Sequence, residues 1–373
     1  TGSLLQCQLL ETPLLNMINF QTLLATKASR ICAAAQGDPV IEFGLRRAQG
    51  FDGAMAASRA AFIGGCESTS NVLAAREFGI PARGTHAHSW VMTFDSELEA
   101  FTAYAEAMPN NCILLVDTYD TLQGVRHAVE VGRKLKSRGG KLLGIRLDSG
   151  DLAYLSVEAR KILDAAGFED AAIVASNDLN EHVITSLKDQ GAAINVWGVG
   201  TELVTSFDQP ALGAVYKLAA IRRGEGPWQP KIKLSEQAVK INNPGLCQVR
   251  RFSAGDGFIA DMIYDESTAL REPHILVDPM DSTRRRPIKM GSDYADLLVP
   301  VVRGGEVVYD LPEATVARQY AGQQLGKLHP SIKRFLHPHQ YPVGLEQGLF
   351  EMKTALILAA REEVDRAAGR ELG

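Results

Sequence analysis

The spacing of apolar positions divides the chain into three regions of different periodicity. In the first, Leu14, Leu15, Met17, Ile18, Phe20, Leu23, Leu24, Ala28 and Ile31 recur at helical spacing. Thr12 suits an N-cap and Pro13 a first helical position, so a long helix is predicted over residues 13–36. It is apolar on nearly every side, hence expected to be buried. Val40–Phe43 then reads as a short strand running into Gly44–Leu45–Arg46–Arg47–Ala48–Gln49–Gly50. Paired arginines between glycines suit an anion, with a solvated loop as the plainer alternative. Small residues from Gly53 to Gly65 imply closely packed backbones, and Ser68–Asn71 offers a helix start before Val72.

The second region is regular. Apolar runs at Ile113–Val116, Leu142–Ile145, Ala172–Ala175 and Ala193–Trp197 alternate with helical patterns over roughly 121–137, 152–166 and 181–189. A further helix precedes them, over roughly 96–108. Continuous apolar strands of this kind are parallel and buried on both faces. Each run ends in polar or glycine positions: Asp117, Asp148, Asp178 and Gly198–Val199–Gly200–Thr201. The nearly constant Asp spacing predicts a (β/α) barrel with its site at the strands' C-terminal ends. A doubly wound open sheet would gather ligands at the same ends. One such Asp can be a helix N-cap; three at matching places point to a site.

From Ala214 the pattern changes again. Extended segments at 215–219, 231–234 and 248–252, with turns at 224–226 and 254–257, predict antiparallel strands over 214–310. Leu345, Leu349, Met352, Leu356 and Ile357 place an amphipathic helix near the end. Residues 1–36 are accordingly assigned to a helical segment of a second domain, 37–213 to the barrel core, and 214–373 to strands and helices completing the second domain and the barrel.

Composition narrows the class. At 373 residues, 46% hydrophobic and 22% charged, the chain can bury a large core. A net charge of −5 argues against a nucleic-acid partner. No apolar run is long enough to span a bilayer and no signal peptide opens the chain. Five scattered cysteines read as reduced core thiols, which fits a cytoplasmic protein.

The stretch with most chemistry is Gly84–Thr85–His86–Ala87–His88–Ser89–Trp90. On a strand, His86 and His88 would share a face. They suit a satisfied half-buried pair, a metal chelate, or a nucleophile or acid–base group beside a phosphate. The chelate lacks further ligands: His127 and His182 fall in helices, and His274, His329, His337 and His339 lie beyond the repeat. The phosphate reading gains from the Gly198–Thr201 segment, whose backbone amides suit an anion. No P-loop is present. Arg146 and Asp148 lie two apart on one strand and share a face, suited to a carboxylate and to sugar hydroxyls. Asp117 is placed to orient His88.

Taken together, the chain resembles the nicotinate phosphoribosyltransferases. The resemblance rests on Leu9–Thr12, Phe43–Gly50, Gly84–Ser89, Leu147–Leu152, Gly198–Thr201, His329–Pro330 and Tyr341–Gly344. It implies an α/β fold: an irregular (β/α), TIM-like barrel with a second α/β domain containing antiparallel strands. It implies condensation of nicotinate with phosphoribosyl pyrophosphate to nicotinate mononucleotide and pyrophosphate, coupled to ATP hydrolysis through phosphohistidine at His88. Mg²⁺ would arrive on substrate phosphates, with no metal site of the protein's own. Asp117 would hold His88. Arg146 and Phe43 would meet the base, Asp148 the ribose, and Arg46 the pyrophosphate, with Thr85 and Ser149 also touching substrate. Asn177, Asp178, Gly198, Gly200 and Thr201 would hold the 5′-phosphate. The resemblance also implies a homodimer with a shared site. The family carries a leading segment before the equivalent of Thr1, expected to supply part of the second domain and a residue near the partner's base. Nicotinamide- or quinolinate-using relatives, or a silent metabolite-binding barrel, are the alternatives.

Overall fold

Parallel strands separated by helices make up the first of two units in the structure, a computed structural model that describes residues 1–236 and 240–367. This unit comprises Thr1–Ala214 with Pro312–Gly322; the second comprises Val215–Leu311 and the chain from Gln323.

In the first unit, strands β1 (Val40–Glu42), β2 (Ser68–Thr69), β3 (Cys112–Leu115), β4 (Leu142–Leu147), β5 (Ala172–Ala175) and β6 (Val196–Val199) form one sheet in the order β2-β1-β6-β5-β4-β3. Every pairing is parallel. This is the cyclic order of a (β/α) barrel left open between β2 and β3, a parallel half-barrel. Its strands are almost wholly buried, with Leu114, Leu115, Ile145, Leu147, Ile173 and Trp197 among the least exposed residues.

The helices of this unit are α1 (Leu4–Ala35), α2 (Phe51–Ile63), α3 (Val72–Phe78), α4 (His88–Val91), α5 (Glu97–Ala107), α6 (Thr121–Ser137), α7 (Leu152–Ala165), α8 (Glu181–Asp189) and α9 (Thr201–Val204). Their caps answer the question left by the Asp series. Asp120, Asp151 and Asn180 accept the first-turn amides of α6, α7 and α8. Asp117, Asp148 and Asp178 are therefore not the caps and are left at the strand ends for other work.

Two expectations change. The first helix starts at Ser3, not Thr12: Ser3 and Gln6 form a capping box that satisfies the opening amides, and Pro13 lies inside the helix. Its N-terminal half is not buried, with Leu5, Leu9 and Ile18 exposed, whereas Leu23, Leu24, Ala28 and Ile31 are core. The second change concerns the assignment of residues 1–36 to the second domain. α1 packs within the first unit, where Lys27 pairs with Glu181 and Asp208 and Leu24 joins Ala57, Ala60 and Val204 in one apolar cluster. An apolar helix of this length buries itself on the nearest half-barrel helices, α2 and α8.

Close packing is tightest at Gly124 on α6. A β-carbon there would lie 2.1 Å from the Val116 carbonyl oxygen, a backbone atom that cannot swing aside. Gly124→Ala is expected to cost about 2–3 kcal/mol of stability through overpacking. A lower urea midpoint checks this; an unchanged midpoint contradicts it.

The second unit is built on a mixed sheet. The short pair β7 (Ala220–Ile221) and β8 (Gln229–Pro230) precedes β9 (Cys247–Ala254), β10 (Gly257–Asp265), β11 (Ile275–Val277), β12 (Arg285–Pro287) and β13 (Asp293–Asp296). The hairpin β14 (Val302–Arg303) and β15 (Glu306–Val307), helix α10 (Ala314–Gly326), strand β16 (Val343–Glu346) and helix α11 (Gln347–Ala367) follow. The sheet order is β12-β11-β16-β10-β9-β13, antiparallel except where β16 runs parallel to β10. The strand expected at 248–252 is there as β9, and the helix expected around residues 345–357 is α11. Segments 215–219 and 231–234 carry no strand; pairing there is confined to the two residues each of β7 and β8. Residues 368–373, in the third assigned region, lie outside the described residues. Among the described residues, no helix is long and apolar enough to cross a membrane.

Candidate active site

The C-terminal ends of β1, β4, β5 and β6 surround a cavity of about 190 Å³. Phe43, Arg46, Arg146, Asp148, Asn177, Asp178, Gly198, Gly200 and Thr201 line it, all of them candidates from the sequence. Arg47, the second of the paired arginines, and Ser176 complete the lining; Ser176 was not among the candidates. Three guanidinium groups face two carboxylates in this lining, so the cavity favours an anion.

Arg146 is its centre. Its Nε donates to Ser176 Oγ (2.9 Å), one terminal nitrogen to Thr85 Oγ1 (2.8 Å) and the other to Asp148 Oδ1 (3.0 Å). Three of five N–H donors are thus engaged, leaving one on each terminal nitrogen, the fork that a carboxylate accepts. The guanidinium carbon lies 5.4 Å from the centre of the Phe43 ring, within cation–π range. Phe43 in turn sits against Gly198, where a β-carbon would come within 2.7 Å of the ring. Glycine at that position is what leaves room for the ring against β6.

Asp148 is partly buried, which opposes its ionisation. Hydrogen bonds from Ser176 and Arg146, and the charge of Arg146, outweigh this and hold its carboxyl below the ordinary range. Asn177 and Asp178 follow Ser176 with φ of +89° and +43°. Short polar side chains tolerate this left-handed backbone, which turns the chain sharply at the end of β5.

The segment containing the two histidines differs from expectation. Residues 83–87 have no ladder partner and His88 opens the one-turn helix α4, so the histidines do not share a strand face. His88 joins the site: its Nδ1 is 3.1 Å from Thr118 Oγ1, and its Nε2 lies 3.6 Å from Asp148 Oδ2 and 3.8 Å from Asp117 Oδ1. Thr118, not Asp117, is the hydrogen-bond partner of His88. Asp117 is fully buried, and its Oδ2 accepts the Asp148 amide (2.8 Å) and the Ser149 hydroxyl (2.7 Å). Its Oδ1 has no hydrogen-bond partner. Asp117 thus fixes the turn carrying Asp148 and leaves one oxygen toward His88.

His86 turns inward. Its Nε2 accepts the Leu115 amide (3.1 Å) on the edge of β3 that faces the opening of the half-barrel. The proton therefore sits on Nδ1, 3.3 Å from the Ala87 carbonyl. Tyr104 and Phe101 flank the ring, with centroids 4.8 and 5.9 Å away. Burial lowers its pKa to about 4. An unfolded histidine takes up its proton near pH 6.5, so between these values the unfolded chain binds more protons. This contribution to stability is complete above pH 6.5 and is lost as pH falls toward 4, by up to about 3 kcal/mol. His86→Gln, which keeps an acceptor and cannot titrate, is expected to flatten that part of the stability–pH curve. A wild-type slope retained in the variant contradicts this.

Three further positioning groups escaped the sequence. Thr118 and Ser176 sit beside recognised residues, but an unremarkable hydroxyl carries no signal of its own. Glu42, buried at the end of β1, accepts the Gly44 amide and the hydroxyls of Ser58 (2.9 Å) and Thr69 (2.6 Å), and so fixes the 3₁₀ turn Leu45–Arg47 that bears both arginines. A charge in an otherwise apolar strand was the available clue.

Among the described residues no cluster of three or more histidine, cysteine or carboxylate side chains has metal-site geometry. Asp117 Oδ1 and Asp148 Oδ2 nevertheless converge on His88.

Comparison with known proteins gives the family. Residues 39–226 match the model of the nicotinate phosphoribosyltransferase (NAPRTase) family, and residues 248–353 match that of the nicotinate phosphoribosyltransferase C-terminal domain. The chain is 43% identical to the nicotinate phosphoribosyltransferase of Bacillus subtilis over 99% of its own length and 75% of the relative's. It is 32% identical to that of Homo sapiens, over 95% and 76%. Among solved structures, human nicotinic acid phosphoribosyltransferase superposes with a TM-score of 0.80 at 29% identity, covering 94% of this chain and 77% of the other. Nicotinate-nucleotide pyrophosphorylase from Pyrococcus furiosus gives 0.67 at 28%, covering 85% and 73%.

Proposed function

This chain belongs to the nicotinate phosphoribosyltransferase family, and we propose that the half-barrel cavity is where it joins nicotinate to phosphoribosyl pyrophosphate, a step of NAD salvage. The observation that carries this placement is Arg146, braced at three points and left with a two-pronged donor face beside the Phe43 ring. A planar aromatic carboxylate satisfies both features at once. Its pyridine nitrogen attacks C1′ of the ribose while the bond from C1′ to the pyrophosphate oxygen breaks.

The transition state carries positive charge at C1′ and growing negative charge on pyrophosphate. Asp148 and Ser149 are the ribose partners, with Thr85 holding Arg146 at the base end. Arg46 and Arg47 are placed for the departing pyrophosphate. Backbone amides at Gly198, Gly200 and Thr201, with Asn177 and Asp178 opposite, form the 5′-phosphate end. Magnesium arriving on the substrate phosphates would neutralise pyrophosphate charge.

ATP coupling belongs to the same reading. Nδ1 of His88 is engaged by Thr118, which leaves Nε2 as the nitrogen to take a phosphoryl group from ATP. The bond from the γ-phosphorus to the bridging oxygen breaks as the N–P bond forms, and ADP departs. A homodimer is also part of it; the exposed apolar residues Leu5, Leu9 and Ile18 on α1 suit burial against a second copy.

Mass-detected nucleotide formation with nicotinate, nicotinamide and quinolinate offered separately tests the base assignment. Product from nicotinate and none from nicotinamide is expected, because the free donor fork needs a carboxylate. Equal product from nicotinamide would contradict it.

A further inference from the structure

The second unit holds a cavity of about 370 Å³ whose lining shares no residue with the half-barrel cavity. Its walls include Phe258, Arg286, His329, Arg334, His339 and Tyr341. The lining contains two guanidinium groups and two imidazoles, and no carboxylate. The nearby carboxylate that could cancel them is spent: buried Asp261 takes a two-point ion pair from Arg251 (2.9 and 2.7 Å) and accepts the Tyr341 hydroxyl (2.8 Å). Even with both imidazoles neutral, the groove keeps two uncancelled positive charges.

The groove is also structured. The Asp261–Tyr341 bond fixes one aromatic wall. The other, Phe258, is held by the Arg251 guanidinium 4.7 Å from its ring centre, and Lys327 adds a further cation at 5.7 Å. The β9–β10 ladder shifts register at Ile259, between Phe258 and Ala260. The Ile259 carbonyl accepts from Arg286 (3.2 Å), which stations that guanidinium at the groove. Such irregularities re-aim side chains. On the far side, His329 Nδ1 accepts the Ser331 amide (3.2 Å), so its proton lies on Nε2 as a donor. Arg334 Nε bonds the Ser331 carbonyl at 3.3 Å, and this leaves its terminal nitrogens unengaged by that bond. Guanidinium and imidazole donors without competing acceptors are what phosphate oxygens take.

We infer that this groove is a second anion site, one that binds a phosphate chain, carried by a nucleotide or free as polyphosphate. It stands on the second unit's own residues and does not rest on the reading of the half-barrel site.

Calorimetric titration of the full chain with inorganic tripolyphosphate and, separately, with ATP tests it, using wild type, Arg286→Ala/Arg334→Ala and Arg46→Ala/Arg47→Ala. Two classes of site are expected for wild type. The groove variant should lose one class, with affinity at least tenfold weaker, and keep its rate of nicotinate mononucleotide formation. The Arg46/Arg47 variant should keep the groove class. Both arginines of the groove variant are exposed, so folding is spared; Arg334→Glu gives an independent charge reversal and should also weaken that class. ATP binding tighter than tripolyphosphate, and weakened by Phe258→Ala, identifies a nucleotide stacked on the aromatic wall. Equal affinities identify the phosphate chain alone. No binding in wild type, or binding that is unchanged in the groove variant, overturns the inference.

Discussion

Arg146→Ala is expected to lower kcat/KM for nicotinate by about a thousandfold, corresponding to roughly 4 kcal/mol. The side chain meets Ser176, Thr85 and Asp148, so its removal deletes the base's carboxylate partner and frees the loops that frame it. Arg146→Lys should recover little, because an ammonium offers a point charge in place of a fork. The loss should appear mainly with nicotinate as the varied substrate. Steady-state kinetics on variants with native circular dichroism check this. A kcat/KM within tenfold of wild type would remove Arg146 from base recognition.

The second large effect is at His88. His88→Ala should abolish stimulation by ATP and lower ADP release during turnover by at least about a hundredfold. The ATP-independent condensation should persist, since the anion-binding residues of the cavity are untouched. Thr118→Val, which deletes only the hydroxyl that holds Nδ1, should reduce the same coupling by a smaller factor. Transfer of labelled γ-phosphate to the protein gives a direct reading. Undiminished labelling of His88→Ala would place the phosphoryl acceptor elsewhere.

Much of the half-barrel was legible because its physics is periodic. Apolar runs such as Leu114–Val116 and Leu142–Leu147 are buried on both faces and so read as continuous, and each is followed at a fixed distance by an amphipathic helix. The Asp series was legible for the same reason, and the caps three residues beyond Asp117 and Asp148 clarify what it is for. The histidine segment was not. Alternation suggested a strand, but pairing with β2 stops at a single bridge between Thr69 and Ala82, and residues 83–87 carry no ladder. His86 instead accepts one amide of β3. The start of α1 was misplaced because Pro13 looked like a first-turn residue, while the Ser3–Gln6 box that starts the helix is carried by two common polar side chains.

The site shows the same division. Residues with distinctive chemistry, among them Arg46, Arg146 and Asp148, could be singled out. Thr118 and Ser176 could not, since their importance lies in which atom they reach and not in what they are. Asp117 was singled out to orient His88, but Thr118 makes that hydrogen bond, while Asp117 accepts from the Asp148 amide and the Ser149 hydroxyl. In the second unit the ladders are short and the apolar pattern weak, so strands such as β7 and β8 were misjudged by several residues.

A structure of the protein with nicotinate mononucleotide bound tests the central claim most directly, that the half-barrel cavity holds the reacting groups. The pyridine carboxylate should lie on the free donors of Arg146 with the ring against Phe43, and the 5′-phosphate against the amides of Gly198, Gly200 and Thr201. A nucleotide bound with its phosphate at Arg146, or outside this cavity, would contradict the account.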